Sequence, residues 1–147
     1  MSAEQTGRSG PGWREVRLQR TGPGTFTVTN IRGGQIPLGA GDSEDFTPVE
    51  LLLAAIVGCS AVDVDAITGK RAEPLAFDAL SVGEKVRDDG GSHLSGLEVT
   101  FTVRFPEGAD GDRAREMLPR AVAMSHDRLC TVSRTVQRGT EVTMTVE

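Results

Sequence analysis

The chain of 147 residues carries only two cysteines and two histidines, too few for a disulfide framework. Neither cysteine has a CxxC partner, and His93 and His126 are not spaced as a ligand pair. Zinc and iron–sulfur patterns therefore fail, and no metal or bound cofactor is expected. A basic excess is missing as well: 16 Lys and Arg stand against 21 Asp and Glu, a formal net charge of −5. That balance argues against nucleic-acid binding, which needs a basic face. The longest nearly uncharged stretch, Phe46 to Val62, contains Glu50 and falls short of the roughly 20 apolar residues that span a bilayer, so no membrane partner is expected. Residues Met1 to Gly12 are polar, with Gly and Pro and without the apolar core of a secretory signal. The expected compartment is the cytoplasm, where a pair of thiols is catalytic, redox-active or simply buried rather than structural.

What is present is an ordinary globular composition, 37% apolar and 25% charged, at a length that suits one compact domain. We place that domain at residues 13–147, behind a flexible leader at residues 1–12. Trp13 to Arg20 alternates imperfectly, Thr21-Gly-Pro-Gly24 has turn composition, and Thr25 to Asn30 alternates strictly, which predicts a hairpin. A third short strand is expected at Gln35 to Leu38. The clearest helix start is Thr47-Pro48-Val49-Glu50: Thr47 caps, Pro48 takes the first helical position and Glu50 completes a capping box. Leu51 to Val62 is apolar almost all the way round, the pattern of a central helix wrapped by protein on every side. Leu75 to Arg87 and Leu94 to Phe105, joined by Asp88-Asp89-Gly90-Gly91, predict a second hairpin. Gly111 to Ala123 reads as an amphipathic helix that Pro119 bends or splits, Ser125 to Val136 as a helical segment carrying Cys130, and Glu141 to Val146 as a final strand. The order βββ, buried helix, ββ, helices, β is an α+β arrangement, and its apolar helix needs more cover than one short chain supplies.

Cys59 lies on that helix in Ala55-Ile-Val-Gly-Cys-Ser-Ala-Val-Asp63, where a simple packing role competes with reactivity. Cys130 lies in Ser125-His-Asp-Arg-Leu-Cys-Thr-Val-Ser-Arg134, a polar and basic setting in which exposure is expected. One buried thiol and one accessible thiol suit a peroxide-consuming pair, the first oxidised and the second resolving it.

The runs Thr47-Pro48-x-Glu50-Leu51-Leu52-Leu53-Ala54-Ala55-x-x-Gly58-Cys59-Ser60-Ala61-x-Asp63-Val64 and Ser125-His126-x-x-x-Cys130-x-Val132-Ser133 closely resemble the two cysteine motifs of the OsmC/Ohr family of thiol-dependent hydroperoxide reductases. The resemblance extends over residues 13–147, and the second motif is more similar to the OsmC-like branch. It implies an OsmC/Ohr-like α+β fold, with sheet wrapped around a central buried helix. It further implies an intertwined homodimer whose two interface sites each reduce an organic hydroperoxide to an alcohol. By the same resemblance Cys59 is the peroxidatic nucleophile, Cys130 the resolving cysteine and a dithiol or lipoylated partner the external reductant. The thiolate needs a nearby positive charge, because burial alone would raise its pKa. The family takes an arginine from the first hairpin; Arg20 is the nearest candidate here, with Arg17 and Arg32 competing, and the Arg20-Thr-Gly-Pro-Gly24 turn departs from the family's Gly-Gly-Arg pattern.

Glu50 matches the glutamate that holds the family's arginine, and its capping box is the rival role. Glu50 and Cys59 are nine residues apart, and steps of roughly 100° put them on opposite sides of a straight helix. A shared site would therefore draw Glu50 from a partner chain. His126 is read as exposed rather than as a base for Cys130, Asp63 and Asp65 as solvation of the helix end, and Arg128 and Arg134 as a solvated face. Two other classes stay open: a non-catalytic protein of the same fold that binds a small hydrophobic ligand, and a cysteine redox sensor.

Overall fold

A computed structural model describes residues 10–147; most of the expected leader, residues 1–9, lies outside the described residues. The chain forms two compact units, one ending at Leu51 and one running from Leu52 to Glu147.

The first unit is a three-stranded antiparallel sheet in the order β1 (Val16–Gly22), β2 (Thr25–Asn30), β3 (Gln35–Leu38). The β1–β2 turn has Pro23 followed by Gly24 at φ 66°, and only glycine enters that left-handed region without strain. A bulge between Arg20 and Gly22 shifts the register just before it. At the next turn the Asn30 side chain accepts from the backbone N–H groups of Arg32 and Gly34, which closes the bend into β3. Val16, Leu18 and Ile36 are exposed on this sheet.

Helix α1 (Pro48–Thr68) starts where the sequence places it. Thr47 N–H donates to Glu50 Oε1 at 2.9 Å and Glu50 N–H donates to Thr47 Oγ1 at 3.2 Å, a reciprocal capping box. The helix differs from expectation in its burial. Only Ile56, Ser60, Val64 and Thr68 are buried, a single stripe at four-residue spacing, while Val49, Leu52 and Val62 are exposed in this chain. At 21 residues α1 also outruns the apolar stretch read from the sequence and has the length and composition of a membrane span. Its charged Asp63 and Asp65 and its packed stripe match a core helix instead.

In the second unit β4 (Ala76–Asp88) and β5 (Gly91–Arg104) form a long antiparallel hairpin. Between the pairs Val82–Glu98 and Glu84–Ser95, Gly83 opposes two residues, Gly96 and Leu97, with Gly96 at φ 63°. This bulge turns Leu97 against Gly83, where an added Cβ would lie 2.8 Å from the leucine side chain. Phe77 and Phe101 pack edge to face on the same hairpin, with ring centroids 6.0 Å apart. Helix α2 (Ala109–Met124) buries Gly111, Ala114 and Ala121. Pro119 does not split it; of the two expected effects, the split is absent and the proline lies inside one continuous helix.

Two further differences follow Met124. The expected helix through Cys130 is interrupted: Ser125–Leu129 is a single wide π-turn, closed by Cys130 N–H donating to Ser125 O at 2.9 Å, and α3 (Thr131–Arg138) begins only after Cys130. The final strand expected at Glu141 to Val146 is absent from the single chain, because no neighbouring strand pairs with it; Val142, Met144 and Val146 are exposed.

Candidate functional site

Cys130 sits at the junction between the π-turn and α3 with extended backbone angles, φ −74° and ψ 101°, which makes it the N-cap residue of α3. Its sulfur accepts from Ser133 N–H at 3.4 Å, and its thiol donates to Ser133 Oγ at 3.2 Å. The pattern Cys130-x-x-Ser133 was the available signal for this cap, with sulfur in the place a hydroxyl usually holds. The consequence overturns one expectation: Cys130 is fully buried, at 0% exposure, rather than accessible. Cys59 is the half-buried thiol, so the inequality of access is the reverse of the one read from the sequence.

The two thiols are neighbours. Both are free, and each is among the groups that shift the other's pKa. The neighbourhood treats them oppositely. Burial pushes the Cys59 thiol up, the adjacent Cys130 adds to the rise, and the backbone N–H groups of Val132 and Thr131 offset it only in part. Burial also pushes Cys130 up, but its polar neighbours Ser133, Ser60 and Cys59 outweigh it, and the Cys130 thiol lies below its ordinary value. Ser60 and Ser133 did not stand out as site residues in the sequence, since each reads there as a small neighbour of a cysteine.

What holds the π-turn to α1 is a second contact that the sequence did not signal. Ser125, 1% exposed, donates its hydroxyl to Asp63 Oδ2 at 2.9 Å. Asp63 is thus a clamp between α1 and the cysteine-bearing turn, not the solvated helix end expected of it. Ser125→Ala should lower stability by about 1.5–3 kcal/mol, the range for a hydrogen bond to a charged group, as measured by chemical denaturation. It should also speed alkylation of Cys130, because the turn that buries the sulfur is released.

Beside the thiols the second unit opens a cleft of about 360 Å³. Ser60 and Ser133 line its thiol end, Ile56, Val99, Phe101 and Val136 make most of the rest apolar, and His126 and Glu98 supply polar groups. His126 is largely exposed, with Nδ1 3.0 Å from Asp127 Oδ1. Arg128 and Arg134 are exposed.

The other candidate residues belong to the first unit. Arg20 is exposed on β1 opposite Phe26, Arg17 is exposed opposite Thr29, and Arg32 is exposed in the β2–β3 turn. Glu50 is engaged with Thr47 in the capping box. Among the described residues no cluster of three or more His, Cys, Asp or Glu side chains could hold a metal ion.

Against known proteins, the sequence profile of the family described as OsmC-like protein matches residues 41–145. An uncharacterized protein of Mycobacterium tuberculosis is 30% identical over 139 residues, covering 90% of this chain and 95% of its own. The crystal structure of a protein from Aquifex aeolicus superposes with a TM-score of 0.68 at 27% identity, covering 86% of this chain and 89% of that one. OhrB, an organic hydroperoxide resistance protein of Bacillus subtilis, shares the fold at a TM-score of 0.52 and 17% identity, over 83% of this chain and 89% of its own.

Proposed function

We propose, for a chain that belongs to the OsmC family, the activity of a cytoplasmic thiol-dependent peroxidase that reduces organic hydroperoxides to alcohols. The observation that carries this reading is the neighbouring pair of free thiols, Cys59 and Cys130, whose companions Ser60 and Ser133 line a mostly apolar cleft. In the proposed cycle the Cys59 thiolate attacks the distal peroxide oxygen, the O–O bond breaks, and the alkoxide leaves as alcohol after taking a proton. Cys59 is left as a sulfenic acid. Cys130 then attacks the Cys59 sulfur, hydroxide departs as water, and a Cys59–Cys130 disulfide remains. An external dithiol, free or lipoylated, returns both cysteines to thiols and becomes a disulfide itself. The cleft suits the organic part of the peroxide, and no bound cofactor enters the cycle.

The raised pKa of Cys59 is what a guanidinium would have to correct. We assign that task to Arg20, with Arg17 and Arg32 as the alternatives, and give Glu50 the role of orienting it by an ion pair. The helix geometry that puts Glu50 and Cys59 on opposite sides of α1 favours supply from a second copy. A homodimer is supported by the apolar residues that one chain leaves exposed on α1 and on β1, and by the unpaired alternation of Val142, Met144 and Val146. Sedimentation at micromolar concentration should give twice the 15.6 kDa chain mass; a folded monomer there would contradict it.

The direct test is consumption of cumene hydroperoxide with dithiothreitol or dihydrolipoamide as reductant. Many turnovers per chain are expected. The same cleft also favours a second reading, a protein that binds a small hydrophobic ligand; binding without turnover would select it.

A further inference from the structure

We infer that the Cys59–Cys130 disulfide is reopened from one side only: the reducing thiol attacks the Cys59 sulfur, and Cys130 departs as a thiolate held by Ser133 and Ser60. This rests on the disulfide cycle proposed above and adds which sulfur the reductant meets and which groups receive the leaving one.

Access is the first argument. A thiol must approach the sulfur it attacks along the S–S axis, from the side opposite the leaving sulfur. Cys130 is 0% exposed, behind the π-turn and the first turn of α3, whereas Cys59 is half-buried. Entry at Cys130 would require the Ser125–Asp63 clamp and the capping contacts to open first. Entry at Cys59 requires neither.

The leaving group is the second. Thiol–disulfide exchange runs faster when the departing sulfur is the more stable thiolate. Backbone N–H groups at the start of α3 act on both sulfurs: those of Thr131 and Val132 lower the Cys59 thiol, and that of Ser133 bonds to Cys130. The hydroxyls break the symmetry: that of Ser133 bonds to Cys130, and Ser60 beside it lowers the same thiol. When Cys130 leaves with the electron pair of the broken S–S bond, the Ser133 hydroxyl turns to donate to it. The thiol pKa values point the same way, with Cys130 lowered and Cys59 raised.

The step balances with a dithiol reductant. Its first thiolate forms a bond to the Cys59 sulfur as the Cys59–Cys130 bond breaks. Its second thiol then attacks the mixed disulfide at the reductant's own sulfur, releasing Cys59 and closing the reductant's disulfide. The two protons lost by the dithiol end on the two cysteines or in solvent. Ser133 and Ser60 are positioning residues in this scheme, acting through the Cys130 sulfur.

Diamide, which oxidises dithiols without any peroxidase step, should first be used to form the disulfide in the full-length protein. A limiting monothiol such as glutathione, rapid acid quench and N-ethylmaleimide blocking then fix the products for peptide mass mapping. Glutathione is expected on Cys59 and maleimide on Cys130, by a ratio of about tenfold or more. Glutathione mainly on Cys130, or equally on both, overturns the inference and leaves the peroxidase reading intact. If diamide joins no Cys59–Cys130 bond, the disulfide cycle and the inference fall together; if the bond forms but peroxide is not turned over, only the peroxidase reading falls. A second measurement isolates the serine. With Cys59→Ser as background, thiolate absorbance reports Cys130 alone, and adding Ser133→Ala should raise its pKa by about one unit. An unchanged titration curve counts against the role of Ser133.

Discussion

Cys59→Ser is expected to lower peroxide turnover by about a thousandfold or more while leaving the fold intact. The two side chains are nearly isosteric, and α1 presents Cys59 at a half-buried position beside the buried Ser60 stripe, so serine neither opens a cavity nor strands a polar group. What changes is the nucleophile. A serine hydroxyl is a far weaker nucleophile at neutral pH, and without an adjacent base it does not ionise to attack a peroxide oxygen. The pH profile of the wild type should carry the signature of Cys59. Its pKa is raised in the single chain, so without a cation the rate climbs with pH through the alkaline range; an arginine at the sulfur moves the rise to lower pH. Replacing Arg20 by Lys or Ala should then shift the rise back toward alkaline pH. Stopped-flow peroxide consumption measures both effects, and turnover retained by Cys59→Ser would sink the assignment.

The parts of the molecule that were legible in the sequence are those decided by neighbours along the chain. The capping box at Thr47 and Glu50 is local chemistry, and it forms as read. The same holds for the strand at Gln35–Leu38 and for the hairpin turned at Asp89 and Gly90, where alternation and turn residues agree. The errors are non-local. Polar neighbours in sequence suggested that Cys130 is exposed, but its burial is set by a π-turn and by Asp63 on a distant helix. All-round apolarity suggested a helix wrapped on every side, yet the chain covers only one stripe of α1, since cover depends on what else is present. Glu141 to Val146 has the alternation of a strand, but alternation does not supply a partner for its ladder. Of the candidate site, the two cysteines stood out by their motifs. The serines that differentiate them, Ser60 and Ser133, are recognisable only once the sulfurs are side by side.

Cys130→Ser should separate the two halves of the cycle. Serine is among the best N-cap residues, and at position 130 its oxygen can accept from Ser133 N–H as the sulfur does, so α3 should keep its start and the fold its stability. The first peroxide should still be consumed, because the nucleophile is untouched, in a burst of one equivalent per chain. The product then has nowhere to go: a serine hydroxyl does not displace hydroxide from a sulfenic acid to form a disulfide. Sulfenic acid should therefore accumulate on Cys59, trappable with dimedone, and excess peroxide should carry it on to sulfinic acid, a gain of two oxygens visible by mass. Steady-state turnover should fall by about tenfold or more, the remainder reflecting direct reduction of the sulfenic acid by the added dithiol. In the wild type one equivalent of peroxide should instead yield a Cys59–Cys130 peptide pair and no sulfinic acid. In the proposed cycle pairing is the step that protects Cys59, and the two reduced thiols are already neighbours before any peroxide arrives. Undiminished turnover in Cys130→Ser, with no dimedone adduct, would remove Cys130 from the cycle and leave a single-cysteine peroxidase.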